Sequence, residues 1–171
     1  ALTPYAVSKL AQEALSFSYV EKYRMKVVVA RPFAIIGPGE TGDACSDFAR
    51  GIVDVERGRR GDLRVGRLDN VRDFLDVRDC ARGLAILSKR GQTGTAYNIS
   101  SGKGVSLRSI LQKMIALSFI RPKITIDSRR VRSLDEPFIV GDNSKLREIG
   151  WRQVISTERT IKEILDYWRG E

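Results

Sequence analysis

The chain has 171 residues, with 30 Lys and Arg against 21 Asp and Glu, a net charge of +9 and no histidine. The lack of histidine excludes Ser-His-Asp and Cys-His catalytic sets and every His-ligated metal centre, leaving Tyr, Lys, Asp, Glu or Cys to move protons. At 42% hydrophobic and 30% charged residues, the composition is that of a globular chain with a core of its own.

Cys45 and Cys80 are far apart with no Cys-x-x-Cys pairing, which gives neither a disulfide framework nor a metal knuckle; a reducing, cytoplasmic setting is the expectation. The longest apolar runs are four residues, such as Val27 to Ala30, far short of a membrane span. The chain starts without Met or a signal-peptide pattern and reads as a piece of a longer protein.

In chain order, Thr3 and Pro4 open a helix predicted over residues 4–24, with apolar residues at helical spacing from Val7 to Tyr19. Lys26 to Ala30 is β-branched and reads as a strand buried on both faces, as in a parallel sheet. Residues 37–42, rich in Gly and Pro, form a loop beyond its end, where open α/β sheets place ligands. A helix from Ser46 to Arg57, a basic turn at 58–61, a short strand at Leu63 to Val65 and one extended piece from Val71 to Leu75 follow. Asp76 caps a helix over 77–90 whose apolar face is expected at Val77, Cys80, Ala81, Leu84, Ala85 and Leu87. A strand at 95–99, a helix from Ser106 to Leu117, a strand at 123–126 and a charged loop at 129–136 come next. A short helix opened by Asn143 and Ser144 and a final helix opened by Ser156 and Thr157 complete the order. Alternating helices and strands predict an α/β fold. Gly37, Gly39 and Gly42 match the Gly-x-Gly-x-x-Gly spacing, but that stretch reads as a loop and not as a phosphate-binding fingerprint.

The first constellation is Tyr5-Ala6-Val7-Ser8-Lys9, which sets a phenol and an ammonium one helical turn apart on one face. A nearby cation favours phenolate, so the pair suits acid–base work on a hydroxyl being oxidised to a carbonyl. Taken alone the spacing is weak, because about a quarter of such a pair arises by chance in this composition. Its context strengthens it. The helix feeds Arg31-Pro32-Phe33-Ala34-Ile35-Ile36-Gly37-Pro38, followed by Arg72-Asp73-Phe74 with Val77 and Asp79, by Tyr97-Asn98-Ile99-Ser100-Ser101-Gly102, and by Gly141-Asp142 with Lys145, Leu146, Gly150 and Trp151.

This ordered set resembles the extended short-chain dehydrogenase/reductases that act on nucleotide sugars, and within them the GDP-mannose 4,6-dehydratase and GDP-4-keto-6-deoxymannose reductase branch. The resemblance implies an enzyme that uses NAD or NADP and a nucleoside-diphosphate sugar and moves a hydride at a sugar carbon, usually C4. It implies Tyr5 as the general acid/base, Lys9 tuning Tyr5 and gripping the nicotinamide ribose, and Pro32 and Phe33 against the nicotinamide. It places Ala34, Val65, Gly66, Arg72, Arg132 and Asp135 around the substrate, with the two arginines on phosphate and Asp135 near the nucleoside ribose. Ala34 stands where the family often has Asn. The implied fold is the C-terminal part of a Rossmann domain (residues 1–42, N-terminal half absent) plus a smaller mixed α/β substrate-binding lobe (43–171). The Tyr-Lys helix is the expected homodimer contact, its face Val7, Leu10, Ala14 and Phe17 fitting either that or core; no metal and no membrane are expected.

Two other readings stand beside it. A nucleic-acid module has only the net charge in its favour, with no aromatic and basic residues interleaved on a strand. A family member that has lost catalysis is disfavoured by the intact Tyr5 and Lys9.

Overall fold

The computed structural model describes residues 3–131 and 135–171. Helix α1 (Pro4–Tyr23) begins where Thr3 Oγ1 accepts a hydrogen bond from Ala6 N at 3.1 Å, and ends at Arg24 in the left-handed conformation. Strands β1 (Val29–Pro32) and β2 (Ala34–Ile36) follow almost without a break. Helix α2 (Ala44–Glu56) starts two residues earlier than expected because Asp43 Oδ1 accepts from Cys45 N and Ser46 N. Then come β3 (Asp62–Val65), β4 (Val71–Arg72), β5 (Phe74–Asp76), α3 (Val77–Arg90), β6 (Ala96–Ile99) and β7 (Val105–Ser106). Helix α4 (Leu107–Ala116), β8 (Lys123–Ile126), a 3-10 turn (Ser128–Arg130), β9 (Phe138–Ile139), α5 (Ser144–Glu148) and α6 (Thr157–Gly170) complete the order.

The strands pair as β1 with β6, β2 with β5 and β3 with β8, all parallel, while β4 lies between antiparallel β7 and parallel β9. Two cores result. The larger collects α2, α4, α6 and β3 around Ile52, Leu63, Met114 and Ile164; the smaller packs α3 and α5 on the β1–β6 pair around Leu87, Ile99, Leu146 and Trp151. The β2–β5 pair stands between them. Ile36 and Phe74 face the larger core and Leu75 the smaller, as successive side chains on a strand point to opposite faces.

Three expectations change. The first strand lies later, at Val29–Pro32, and is not buried on both faces: Val29 and Ala30 are half-buried and Arg31 and Pro32 exposed. It has one neighbouring strand among the described residues, and α1, tied to it by the Glu13–Arg31 pair, has no buried residue. The extended piece at 71–75 is two strands, because Asp73 turns its carboxylate into the interior and β4 and β5 pair with different partners. The buried stripe of α3 is Asp79, Cys80, Gly83 and Leu87, whereas Val77 and Leu84 are exposed; the carboxylate of Asp79 is drawn inward by backbone donors of the 154–155 segment. On α1, Val7, Leu10 and Ala14 are exposed and Phe17 half-buried within this chain.

Candidate active site

Strands β2, β3 and β5, the start of α2 and the 128–130 turn enclose a pocket of about 570 Å³. Its wall includes Ala34, Val65, Gly66, Arg72 and Asp135, five of the six residues expected around the substrate. The sixth, Arg132, lies outside the described residues. Register explains the first contacts: β2 and β5 run parallel with Ala34 opposite Phe74, so both reach the same cavity. Gly66 is required by close approach, because a Cβ there would sit 2.7 Å from the Arg130 carbonyl oxygen. Only a glycine lets the 128–130 turn close over the end of β3.

Arg72 is held rather than free. Its Nη2 donates to Asp135 Oδ1 at 2.6 Å and its Nη1 to the Val71 carbonyl at 2.8 Å, while Asn70 Nδ2 donates to Asp135 Oδ2 at 2.5 Å. The arginine side chain is 15% exposed, which keeps the guanidinium at the wall with an ordered geometry. Three further arginines line the cavity: Arg67, Arg129 and Arg130. Arg129 pairs with Asp127, and the hydrogen bond from Arg129 holds that carboxyl below its usual range. Arg130 bridges to Asp47 of α2 at 3.1 Å, joining two walls. Four guanidinium groups against Asp43, Asp47 and Asp135 make a pocket with both anion-binding and hydroxyl-accepting chemistry.

Tyr5 and Lys9 lie in a second, open cleft of about 620 Å³ formed by α1 and residues 27–32, which also takes in Pro32. The Lys9 ammonium is 5.7 Å from the Tyr5 ring centroid and donates to Gln12 Oε1 at 3.3 Å. At the floor, Glu13 of α1 pairs with Arg31 of β1; the Arg31 hydrogen bonds hold the Glu13 carboxyl below its usual range. Cleft and pocket are joined by three consecutive residues. Pro32 lines the cleft, Ala34 lines the pocket, and Phe33, half-buried between them, lines neither. Phe33 N donates to the Ile99 carbonyl at 3.1 Å and Ala34 N to the Asp73 carbonyl at 3.2 Å, fixing this link to β6 and β5.

Residues beyond those expected also belong to the pocket: Asp43, Asp47, Arg67, Arg129 and Arg130. Asn70, which grips Asp135, precedes Arg72 by two positions, and Arg129 and Arg130 lie in the segment read as a charged loop. Cys45 lies on the first turn of α2, fully buried in the larger core, and burial pushes its thiol well up, away from reactivity.

A Tyr-Lys helix beside parallel strands, joined by three residues to an arginine-lined pocket, is an arrangement that fits part of a Rossmann-type epimerase/dehydratase. Comparison with known proteins agrees. The family model described as GDP-mannose 4,6 dehydratase matches residues 1–164, and the chain belongs to that family. It is 33% identical over 168 residues to the GDP-6-deoxy-D-mannose reductase of Pseudomonas aeruginosa, covering 96% of this chain and 55% of that protein. Among solved structures, RMD from Pseudomonas aeruginosa complexed with NADPH superposes with a TM-score of 0.91 at 31% identity, covering 99% of this chain and 57% of that one. The UDP-glucose 4-epimerase of Thermus thermophilus in complex with NAD superposes with a TM-score of 0.84 at 26% identity, covering 98% and 54%. The chain therefore spans about half the length of the relatives it matches. Among the described residues, no helix is long and apolar enough to cross a membrane.

Proposed function

We propose that this chain is the substrate-binding and acid–base half of an NAD(P)-dependent enzyme that transfers a hydride at a sugar carbon, C4 in our reading, of a nucleoside-diphosphate sugar. The observation that carries the proposal is the Pro32–Phe33–Ala34 link, which sets the Tyr5–Lys9 cleft directly against the pocket of Arg72, Val65, Gly66 and Asp135. A relative that acts on a GDP sugar favours GDP as the nucleotide.

Tyr5, 71% exposed, presents its hydroxyl to the cleft and exchanges a proton with the sugar oxygen. Lys9 spends one of three N–H donors on Gln12, leaving two for ribose hydroxyls and a positive charge beside the phenol. Pro32, on the cleft wall, and Phe33 beside it offer their backbone to the nicotinamide carboxamide. When bound, the dinucleotide supplies or accepts the hydride. Arg72 meets the diphosphate by exchanging its contact with Asp135, which frees that carboxylate to accept ribose hydroxyls. Arg132, by resemblance, adds a second phosphate contact.

In this reading residues 1–42 close the cofactor domain and 43–171 form the substrate lobe. The exposed Val7, Leu10 and Leu15 of α1 form the contact of a homodimer, and two free, buried cysteines suit a cytoplasmic enzyme. A nucleic-acid reading is weaker, because much of the positive charge is spent locally: Arg59 and Arg60 on Asp54, Arg64 on Asp62, Arg129 on Asp127. Calorimetric titration of the full-length protein with GDP and UDP sugars, in the presence of NADPH, tests the proposal. Saturable binding of at least one sugar nucleotide is expected; binding of none, alongside salt-dependent binding of generic nucleic acid, overturns it.

A further inference from the structure

Asp73 is 1% exposed and has no cationic partner among the described residues, yet its carboxylate is saturated by neutral donors. Oδ1 accepts from Ser101 N and Ser101 Oγ, both at 2.6 Å; Oδ2 accepts from Gly102 N at 2.9 Å and Gly141 N at 3.1 Å. These donors come from two turns that converge behind the site. Gly141 is packed so tightly there that a Cβ would lie 2.8 Å from the Phe33 ring and 2.5 Å from Ser100 Oγ. The carbonyl of the same Asp73 receives Ala34 N, and its chain neighbours Arg72 and Phe74 both line the substrate pocket. One buried residue therefore holds the seat of Phe33 through its side chain and the seat of Ala34 through its backbone.

From this geometry we infer that Asp73 is a positioning residue for hydride transfer, setting the wall expected against the cofactor (Phe33) in register with the walls expected around the sugar (Ala34, Arg72). The inference rests on the function proposed above. Alignment of two bound reactants acts on the rate at which they react more than on the binding of either, because a displacement of about 1 Å is enough to slow a reaction on the order of 100-fold. Loss of Asp73 therefore shows in kcat.

The molecule contains its own control. Asp79 is also buried, fully, and its carboxylate also accepts backbone donors, Val154 N at 3.1 Å and Ile155 N at 2.8 Å, together with Arg82. It lines neither the pocket nor the cleft. In Asp73→Asn the NH2 group faces either the Gly102 and Gly141 amides, losing two of the four hydrogen bonds, or Ser101, whose hydroxyl can turn to accept while its amide cannot, losing one; neither orientation changes the shape. In the full-length enzyme, Asp73→Asn is expected to lower kcat by roughly 10- to 100-fold with dinucleotide and sugar-nucleotide affinities within about 3-fold of the parent. Asp79→Asn lowers the melting temperature and leaves kcat within about 2-fold.

Unchanged kcat in Asp73→Asn overturns the inference, as does an equal kcat loss in Asp79→Asn. If Asp73→Asn does not fold, Ser101→Ala decides: it removes one of the four donors, and a kcat loss of about 3-fold supports the inference while parental kcat contradicts it. Failure of the functional reading looks different, since the parent itself then binds no sugar nucleotide.

Discussion

Helices α1 and α2 differ sharply in what they bury. Of its thirteen residues α2 buries seven, from Cys45 to Val53, while the twenty-residue α1 buries none. Helix α2 is fastened by the larger core. Helix α1 is held to β1 by the Glu13–Arg31 pair and by half-buried side chains such as Phe17 and Val20. The pocket of Arg72 and Asp135 is thus walled by the packed part of the chain, and the Tyr5–Lys9 pair stands on the part that contributes least to packing. Within this chain the buried residues and the proposed acid–base pair fall in different regions, so substitutions in the two regions should separate stability from turnover.

Tyr5→Phe gives the largest effect and the sharpest separation: turnover of the full-length enzyme falls by about 10²- to 10⁴-fold, read by NAD(P)H absorbance. In the 171-residue chain the melting temperature stays at the parental value, because the ring is 71% exposed there. The reverse pattern comes from the core. Ile164, 0% exposed, loses its packing in Ile164→Ala, and urea unfolding should show destabilisation of about 2–5 kcal/mol.

Arg72→Ala falls between the two. It removes a charge-assisted partner, weakening sugar-nucleotide binding by roughly 10- to 100-fold in calorimetry, and leaves Asn70 as the partner of Asp135 among the described residues.

Acid titration examines the seam between β5 and α6. Burial pushes the Asp76 carboxyl up, but hydrogen bonds from Arg78 and Thr160 outweigh that and hold it below its ordinary 3.8. A folded value below the unfolded one contributes stability above pH 3.8 that is lost as pH falls through the lower folded value. Urea midpoints should therefore drop below about pH 4, and Asp76→Asn should flatten that drop. Leu10→Ala on α1 is the smallest change to the unfolding of this chain by itself, within about 0.5 kcal/mol, since Leu10 is 59% exposed there; its cost falls on the proposed homodimer contact. A loss as large as that of Ile164→Ala would erase the contrast between the two helices.

Much of this is legible in the sequence because it is local. Thr3, Asp76, Ser106 and Ser156 each cap the helix expected of them, since a side-chain oxygen reaches an amide two or three residues on. The strand expected at 123–126 spans Lys123–Ile126. The motif residues of the pocket come together because the family resemblance carries long-range proximity that periodicity lacks. What escapes a reading of the sequence is set by distant partners. Strands β7 and β9 are two residues each and exist only because β4 lies between them. The buried face of α3 departs from the apolar pattern because a buried carboxylate, Asp79, inverts the polarity rule when backbone donors 75 and 76 positions away satisfy it. Asp43 and Asp47 join the pocket through the orientation of α2, which the larger core determines.

The central claim is that the arginine-lined pocket takes a nucleoside-diphosphate sugar with its reacting carbon toward Tyr5. A structure of the full-length protein with a GDP sugar tests it most directly. The account predicts the diphosphate on Arg72, the nucleoside between Val65–Gly66 and Asp135, and the sugar passing Ala34 toward the Tyr5 hydroxyl. A sugar nucleotide seated outside this pocket, or with its sugar turned away from Tyr5, would contradict it.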